Sequence, residues 1–329
     1  MRFIWISFSL FCLLIRIAFW GGHAKEIKAM SKTSHRLDGI PGGEVVPVSD
    51  ALGAEIRGVN LADDMAAAAF GPIYRSWLDH LVLVFRGQNL SDENLVAFSR
   101  RFGVLEKAPV DEYGRMFVDG FPEILVVSNV FRNGEPMGSL GAFESKWHTD
   151  MSYVETPPKA SCLMALKLPA AGGDTGFLNM YQAFDTLPAS LARRIEGLTL
   201  KHDATYNSVG QLRENFQDVT DVTASPGSSH PIVRIHPETG RKALFLGRRN
   251  CAYVNGLSLN ESEELLDALW EQVTQERFIW HHKWRLGDLV IWDNRCTMHR
   301  RDAFADNAER IMHRTQIIDA EPAPAGETA

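Results

Sequence analysis

The sequence predicts a mainly β protein with flanking helices, built on a double-stranded β-helix, the jelly-roll barrel whose mouth can hold a ligand site. Three observations lead there. Short apolar runs recur from Val45 to Ile318, and several are joined by hairpin-type turn signals. The helical patterns are few and fall between strands, as helices gathered on one side of a barrel would. No Pro/Ser-rich linker or internal repeat divides the chain, so a single domain from residue 30 to 329 accounts for it.

Each element has its own signal. Gly53 to Val59 reads as a short strand after a turn, and a helical pattern follows from Ala66 to Leu78. The run Leu81-Val82-Leu83-Val84-Phe85 is apolar at every position, as a buried strand is. Ser91-Asp92-Glu93-Asn94 offers an N-cap and an acidic first turn to a helix ending near Arg101 and Gly103. Ile124 to Ser128 is the next strand. Ser161 to Leu168 and Gly176 to Asn179 flank the turn Ala171-Gly172-Gly173-Asp174, and two short helices follow over 180–187 and 189–196. Residues 204–229 carry few periodic apolar positions, and an irregular stretch of that length inside a domain is often a functional lid. Pro237-Glu238-Thr239-Gly240 joins strands over 231–236 and 242–246 as a hairpin. Asn260 is the expected cap of an amphipathic helix with Leu265, Leu266, Leu269 and Trp270 on one face. Residues 278–284 and 289–292 read as a second hairpin across Arg285-Leu286-Gly287-Asp288, and 309–318 as the last strand.

Composition narrows the class of function. At 45% hydrophobic and 23% charged the chain has ample material for a core. Its net charge of −7, with no basic stripe beyond Arg248-Arg249, argues against a nucleic-acid partner. Cys12, Cys162, Cys251 and Cys296 are scattered without a CxxC pair, the pattern of reduced thiols in a cytoplasmic enzyme. Residues 1–29 complicate this. Phe3 to Phe19 is nearly all apolar, interrupted by Arg16, and Gly22-His23-Ala24 could pass for a signal-peptidase site, which would make the protein exported. The stretch is short of the about 20 apolar residues a membrane span needs, so no membrane partner is expected. The preferred reading is that translation begins at Met30. Lys25-Glu26 can be encoded AAG-GAG, a ribosome-binding sequence, close upstream of it.

Chemistry enters with His148 and Asp150, in Lys146-Trp147-His148-Thr149-Asp150. Residues two apart on a strand point the same way, so an imidazole and a carboxylate can face one metal ion. A later histidine, His299, would complete a two-His-one-carboxylate arrangement of the kind that leaves open positions on non-haem Fe(II). Alone, a His-x-Asp spacing is common, and His299 could equally be a core histidine. Arg310 and Arg314 sharpen the case. Four residues apart on a strand means the same face, and two cations in one cavity are costly unless anions satisfy them. Arginine is suited to gripping a carboxylate through parallel hydrogen bonds. A zinc-dependent hydrolase or isomerase on a cupin-like barrel, or a non-catalytic anion-binding protein, stay open on these residues alone.

Together, Trp147-His148-Thr149-Asp150, Gly172-Gly173-Asp174-Thr175, Trp292-Asp293-Asn294-Arg295 with His299, and Arg310-Ile311-Met312-His313-Arg314 resemble the taurine dioxygenase and 2,4-dichlorophenoxyacetate dioxygenase family, in order and over nearly the whole chain from Val45 to Ile318. The resemblance implies an Fe(II)- and 2-oxoglutarate-dependent dioxygenase on a jelly-roll core, with dimers or tetramers common in the family. It implies that His148, Asp150 and His299 hold iron, leaving two positions for 2-oxoglutarate and one for O2. Arg310 and Thr175 would bind the distal carboxylate of 2-oxoglutarate, and Arg314 would lie near the cosubstrate's keto-acid end and the substrate anion. Oxidative decarboxylation to succinate and CO2 would drive hydroxylation of a small anionic organic substrate. Related iron halogenases lack the carboxylate ligand; with Asp150 present, hydroxylation is the expected outcome. The chain departs from taurine-binding members at Ala108 and Glu144, where they carry a histidine and an asparagine. Residues 230–236 and 240–242 look more like the phenoxyalkanoate-cleaving branch, which places a substrate-contacting histidine near His202. Glu144 and His202 are therefore expected at the substrate.

Overall fold

The strand Val82–Phe85 is buried at every position, and the alternation of its side chains explains why. Leu83 and Phe85 join a hydrophobic cluster with Trp77, Leu95 and Phe98, whereas Val82 and Val84 join another with Phe177, Trp292 and Met298. Successive side chains of a strand face opposite sides of its sheet, so this one is covered on both. One cover is helical, made by Ala67–His80 and Asp92–Arg100. The second of these helices starts at the predicted Ser91, whose hydroxyl accepts from the Asn94 backbone N–H while the Asn94 side chain accepts from that of Ser91. The other cover is a second sheet.

The computed structural model describes residues 33–110, 116–142 and 145–319; residues 1–29 and Glu144 lie outside the described residues. The larger sheet has nine strands in the order His35–Arg36, Glu44–Pro47, Ala54–Arg57, Val82–Phe85, Leu289–Asp293, Ala160–Lys167, Ile311–Ile317, Leu125–Ser128 and Ser139–Leu140. The smaller has four: Ile279–His282, Thr175–Asn179, Thr297–Arg301 and Ser145–His148. The same parity governs the larger sheet throughout. Leu289, Ile291, Cys162 and Met164 point to the helices, and Val290, Trp292, Leu163 and Met312 point to the smaller sheet. Phe177 and Trp292 meet across the interior at 5.6 Å. Two sheets closed face to face around one core make the expected jelly roll. Among the described residues no helix is long and apolar enough to cross a membrane.

Two local expectations are corrected. Ile279–His282 and Leu289–Asp293 do not pair as a hairpin; they belong to different sheets. The turn between them is the corner where the chain passes from one sheet to the other. Asp288 fixes it, accepting from the Arg285 backbone N–H at 2.8 Å and pairing with Arg86. The helix Leu259–Val273 is capped by Ser258 rather than Asn260. Glu261 returns a hydrogen bond to the Ser258 backbone at 3.0 Å, a capping box that Asn260, already inside the first turn, cannot form.

The stretch 204–229 is largely turns, with one 3-10 turn at Val222–Ala224. The Lys146 backbone N–H donates to Ser208 O at 3.1 Å, which places this segment beside the strand that carries His148.

Candidate metal and cosubstrate site

His148 ends the strand Ser145–His148 and stands directly opposite His299 on Thr297–Arg301, with ring centroids 4.2 Å apart. Asp150 is not on that strand, contrary to the same-face expectation. The chain leaves the sheet after His148, and Asp150 sits in the turn that follows, just before Met151 with φ of +47°. Asn294 brings the carboxylate back. Its side-chain carbonyl accepts from the Asp150 N–H, and its amide donates to Asp150 O, both at 3.3 Å, and to Pro158 O at 3.1 Å.

The Nε2 atoms of His148 and His299 lie 3.7 and 3.9 Å from Asp150 Oδ1. Those separations exceed hydrogen bonds but fall within what two metal–ligand bonds of about 2.1 Å can bridge. His148 Nδ1–H donates to Lys146 O at 2.7 Å, which leaves the Nε2 lone pair for a metal. Burial, with His299 second, holds the His148 imidazole well below its usual pKa; burial likewise lowers His299. Both are neutral, as ligands must be. Burial alone would raise the Asp150 carboxyl, but its neighbours, the Arg314 guanidinium foremost, outweigh it and keep it below the usual carboxylate range. Ser161 donates to Asp150 Oδ2 at 2.8 Å, and Arg314 to Oδ1 at 3.2 Å.

The two histidines open onto an inner cavity lined by Thr175, Arg301, Arg310 and Arg314, with Leu163 and Trp292 as apolar wall. Strand parity puts Arg314 there, in phase with the inward Met312, and Arg310 immediately precedes that strand, Ile311–Ile317. Arg310 is 2% exposed, and among the described residues no carboxylate lies within ion-pair distance of it. Burial pushes its guanidinium down to about 9, and Arg301 adds to this. A buried cation in that state is stabilised by any anion that enters. Thr175 Oγ accepts from the Trp284 indole N–H at 3.0 Å, so its own hydrogen is available to a ligand in the cavity.

The structure therefore gathers His148, Asp150, His299, Thr175, Arg310 and Arg314 around one space. It does not bring His202 there. That ring lies behind the cavity wall, packed against His230 and Phe245. It sits so close to Gly247 that a Cβ there would come within 1.9 Å of it. Gly247 O accepts from the Thr149 N–H, so His202 supports the turn carrying Asp150. Residues the sequence reading missed are Ser161, Asn294, Arg301 and Trp284. Arg301 had a signal: it is two positions beyond His299 on a strand and so shares its face.

A second, outer cavity shares His148, Ser208 and Arg314 with the first and runs past Asp150, Met151 and Tyr153 to the 207–213 segment.

The comparisons with known proteins agree with this geometry. Residues 44–316 match the family described as taurine catabolism dioxygenase TauD, TfdA family. An alpha-ketoglutarate-dependent 2,4-dichlorophenoxyacetate dioxygenase from Cupriavidus pinatubonensis is 34% identical, over 83% of this chain and 96% of the relative. An alpha-ketoglutarate-dependent sulfate ester dioxygenase from Pseudomonas putida is 32% identical, over 85% and 90%. Among solved structures, a taurine dioxygenase from Burkholderia xenovorans superposes with a TM-score of 0.70 at 31% identity, covering 87% of this chain and 96% of that one. Another, AAD-2 in complex with Mn(II) and N-oxalylglycine, has a TM-score of 0.70 at 29% identity, over 86% and 99%. With its fold, its His-Asp-His triad and almost its whole length in agreement, the chain belongs to the TauD, TfdA family of alpha-ketoglutarate-dependent dioxygenases.

Proposed function

We propose that this chain uses Fe(II), 2-oxoglutarate and O2 to hydroxylate a small organic anion of the aryloxyalkanoate or alkyl sulfate type. The observation that carries the proposal is that Arg310, a buried guanidinium with no carboxylate in ion-pair distance among the described residues, lines the same cavity as the histidine pair and Thr175. A dicarboxylate suits that pairing, with one end in the arginine clamp and the other toward the triad. A zinc hydrolase would use the triad alone, and a non-catalytic anion binder the arginines alone; neither needs both at one cavity. The two substrate types rest on the relatives that act on 2,4-dichlorophenoxyacetate and sulfate esters.

Iron bound by His148, Asp150 and His299 would supply the O2 activation that couples decarboxylation of 2-oxoglutarate to hydroxylation. The chain's own residues do the rest. Arg310 and Thr175 bind the distal carboxylate by charge-assisted hydrogen bonds. Leu163 and Trp292 keep water from the inner cavity, which strengthens those contacts. Arg314 donates to Asp150 and holds that ligand anionic and oriented. Hydroxylation at a carbon bearing an ether or sulfate-ester oxygen gives a hemiacetal-type product, which collapses to a carbonyl and releases the phenol or sulfate.

An anaerobic titration of the apo chain with Fe(II) and then 2-oxoglutarate tests this. A weak visible charge-transfer band is expected on adding 2-oxoglutarate, and succinate on admitting O2 with phenoxyacetates or alkyl sulfates. Intact protein that binds the metal but develops no band would refute the proposal.

A further inference from the structure

In the outer cavity, Arg213 and Arg248 stand together. Arg213 Nε donates to Tyr206 O at 3.3 Å, and Arg248 donates to the same carbonyl oxygen, so the two guanidinium groups are neighbours. Arg248 also donates to Asp203 O at 2.9 Å, and Arg213 to the Tyr153 hydroxyl at 2.7 Å. All these acceptors are neutral. Among the described residues neither arginine has a carboxylate within ion-pair distance, whereas Arg249, next in sequence, has both Glu263 and Asp267. Each guanidinium carries five N–H donors and here uses two, so both keep donors for a ligand. Both are half-buried and line the cavity that also reaches His148, Asp150 and Arg314.

Two adjacent cations with neutral partners repel each other, an arrangement that an oxyanion between them would relieve. The guanidinium fork matches the paired oxygens of a carboxylate, sulfate or sulfonate. Three of their four hydrogen bonds go to the 203–206 backbone, at the start of the lid-like stretch. An anion held there would also be held against that segment. Burial, with Arg213 second, lowers the Arg248 pKa, and the Asp203 carboxylate opposes this in part.

We propose that Arg213 and Arg248 form the recognition site for the substrate's anionic head group in the outer cavity, with the carbon beside that group turned toward His148 and Asp150. The proposal rests on the dioxygenase reading above for the fate of that carbon, but not for the binding of the anion. It commits to a small organic carboxylate or sulfate ester whose oxidised carbon lies beside the charged group, as in the two substrate types proposed above.

Calorimetric titration of the full chain with hexyl sulfate and with phenoxyacetate, without metal, tests it directly. Binding of at least one probe to the wild type is expected, weakened about tenfold or more in Arg213→Gln, the loss of one charge-assisted pair. Arg213→Lys, which keeps the charge, should recover part of the affinity, and 2-oxoglutarate affinity measured with Fe(II) should be the same in all three proteins. Arg248→Lys guards against a special effect of position 213 and should also weaken the probes. Equal probe affinity in wild type and Arg213→Gln, or no binding of either probe to the wild type at millimolar concentration, would overturn the assignment. Loss of 2-oxoglutarate binding in the wild type would instead count against the inner-cavity reading, since the probe titrations contain no metal or cosubstrate.

Discussion

His148, Asp150 and His299 form one buried cluster, and His236, Asp293 and Cys296 another; in each, the potential ligand atoms lie within 4.8 Å of one another. Residue type and spacing do not separate the two. Their hydrogen bonds do. In the second cluster Asp293 Oδ1 accepts from the Arg295 backbone N–H and Nε, and Oδ2 from Arg295 Nη2 at 2.7 Å and His236 Nε2 at 3.0 Å. His236 Nδ1 accepts from two backbone N–H groups, of Glu238 and Thr239, so that ring has no lone pair to give. Burial keeps the Cys296 thiol protonated. The first cluster turns both Nε2 atoms toward one carboxylate oxygen, and the space beside them opens into two cavities. A cluster whose carboxylate is spanned on both oxygens by one arginine is a structural ion pair; one whose lone pairs converge, with Arg314 and Ser161 each taking a single bond to the carboxylate, can hold a metal.

The sharpest way to break that comparison is to delete each carboxylate. Asp150→Ala should lose stoichiometric Fe(II) binding and coupled succinate formation while still folding. Asp293→Ala should leave Arg295 buried with only Glu238 to pair with, at a cost of about 3–5 kcal/mol, yet keep one Fe(II) per folded chain. Urea denaturation and metal analysis together read both effects. Two metals per wild-type chain, or retained iron binding in Asp150→Ala, would remove the distinction.

Acid tests the comparison next, through histidines that belong to neither cluster. Burial holds both His80 and His230 down to about 4, against an ordinary 6.5. The unfolded chain therefore binds protons that the folded chain does not between those values. Stability is fully present above pH 6.5 and is lost as pH falls toward 4. The gap of 2.5 units corresponds to about 3 kcal/mol per histidine. His80→Gln should remove roughly one such contribution, seen as a flatter plot of unfolding free energy between pH 4 and 6.5; an unchanged slope would mean that His80 charges in the folded state.

Arg310 makes the opposite case to Arg295, a buried cation with no carboxylate in ion-pair distance among the described residues. Arg310→Gln should weaken 2-oxoglutarate binding about 100-fold, the size of a lost charged hydrogen-bond pair, with Fe(II) affinity little changed. It should also raise the melting temperature of the apo chain, because it removes an unpaired buried charge. A lower apo melting temperature with intact 2-oxoglutarate affinity would show that Arg310 serves the fold instead.

Local spacing made much of this legible. Helices and strands came from alternation and capping, and Arg310 with Arg314 from a four-residue period on a strand. What stayed hidden depended on distant parts of the chain. Asp150 leaves its strand and is returned by Asn294, far along the sequence, which no local pattern announces. The turn 285–288 has the composition of a hairpin, but only the sheet partners of its flanks reveal a corner. His202 looked like a substrate contact because its position in the sequence matched one. The packing of Gly247 against its ring places it behind the wall. Ser258 was a legible miss, since the Ser258-x-x-Glu261 box was there to be read.

The smallest predicted effect concerns how the cosubstrate clamp is aimed. Trp284 donates its indole N–H to Thr175 Oγ and places its ring 5.9 Å from the Arg310 guanidinium. With that lone pair occupied, the Thr175 hydroxyl is left to donate its proton into the cavity, where a carboxylate accepts it. Trp284→Phe keeps an aromatic face beside Arg310 but frees the threonine to rotate. One neutral hydrogen bond of about 1 kcal/mol is at stake, so 2-oxoglutarate should bind several-fold more weakly, with Fe(II) affinity and melting temperature nearly unchanged. Thr175→Val should cost a similar amount, and the double variant little more than either single one, because both remove the same oriented donor. Additive losses in that cycle would mean that Trp284 acts on the cosubstrate through Arg310 and not through the threonine.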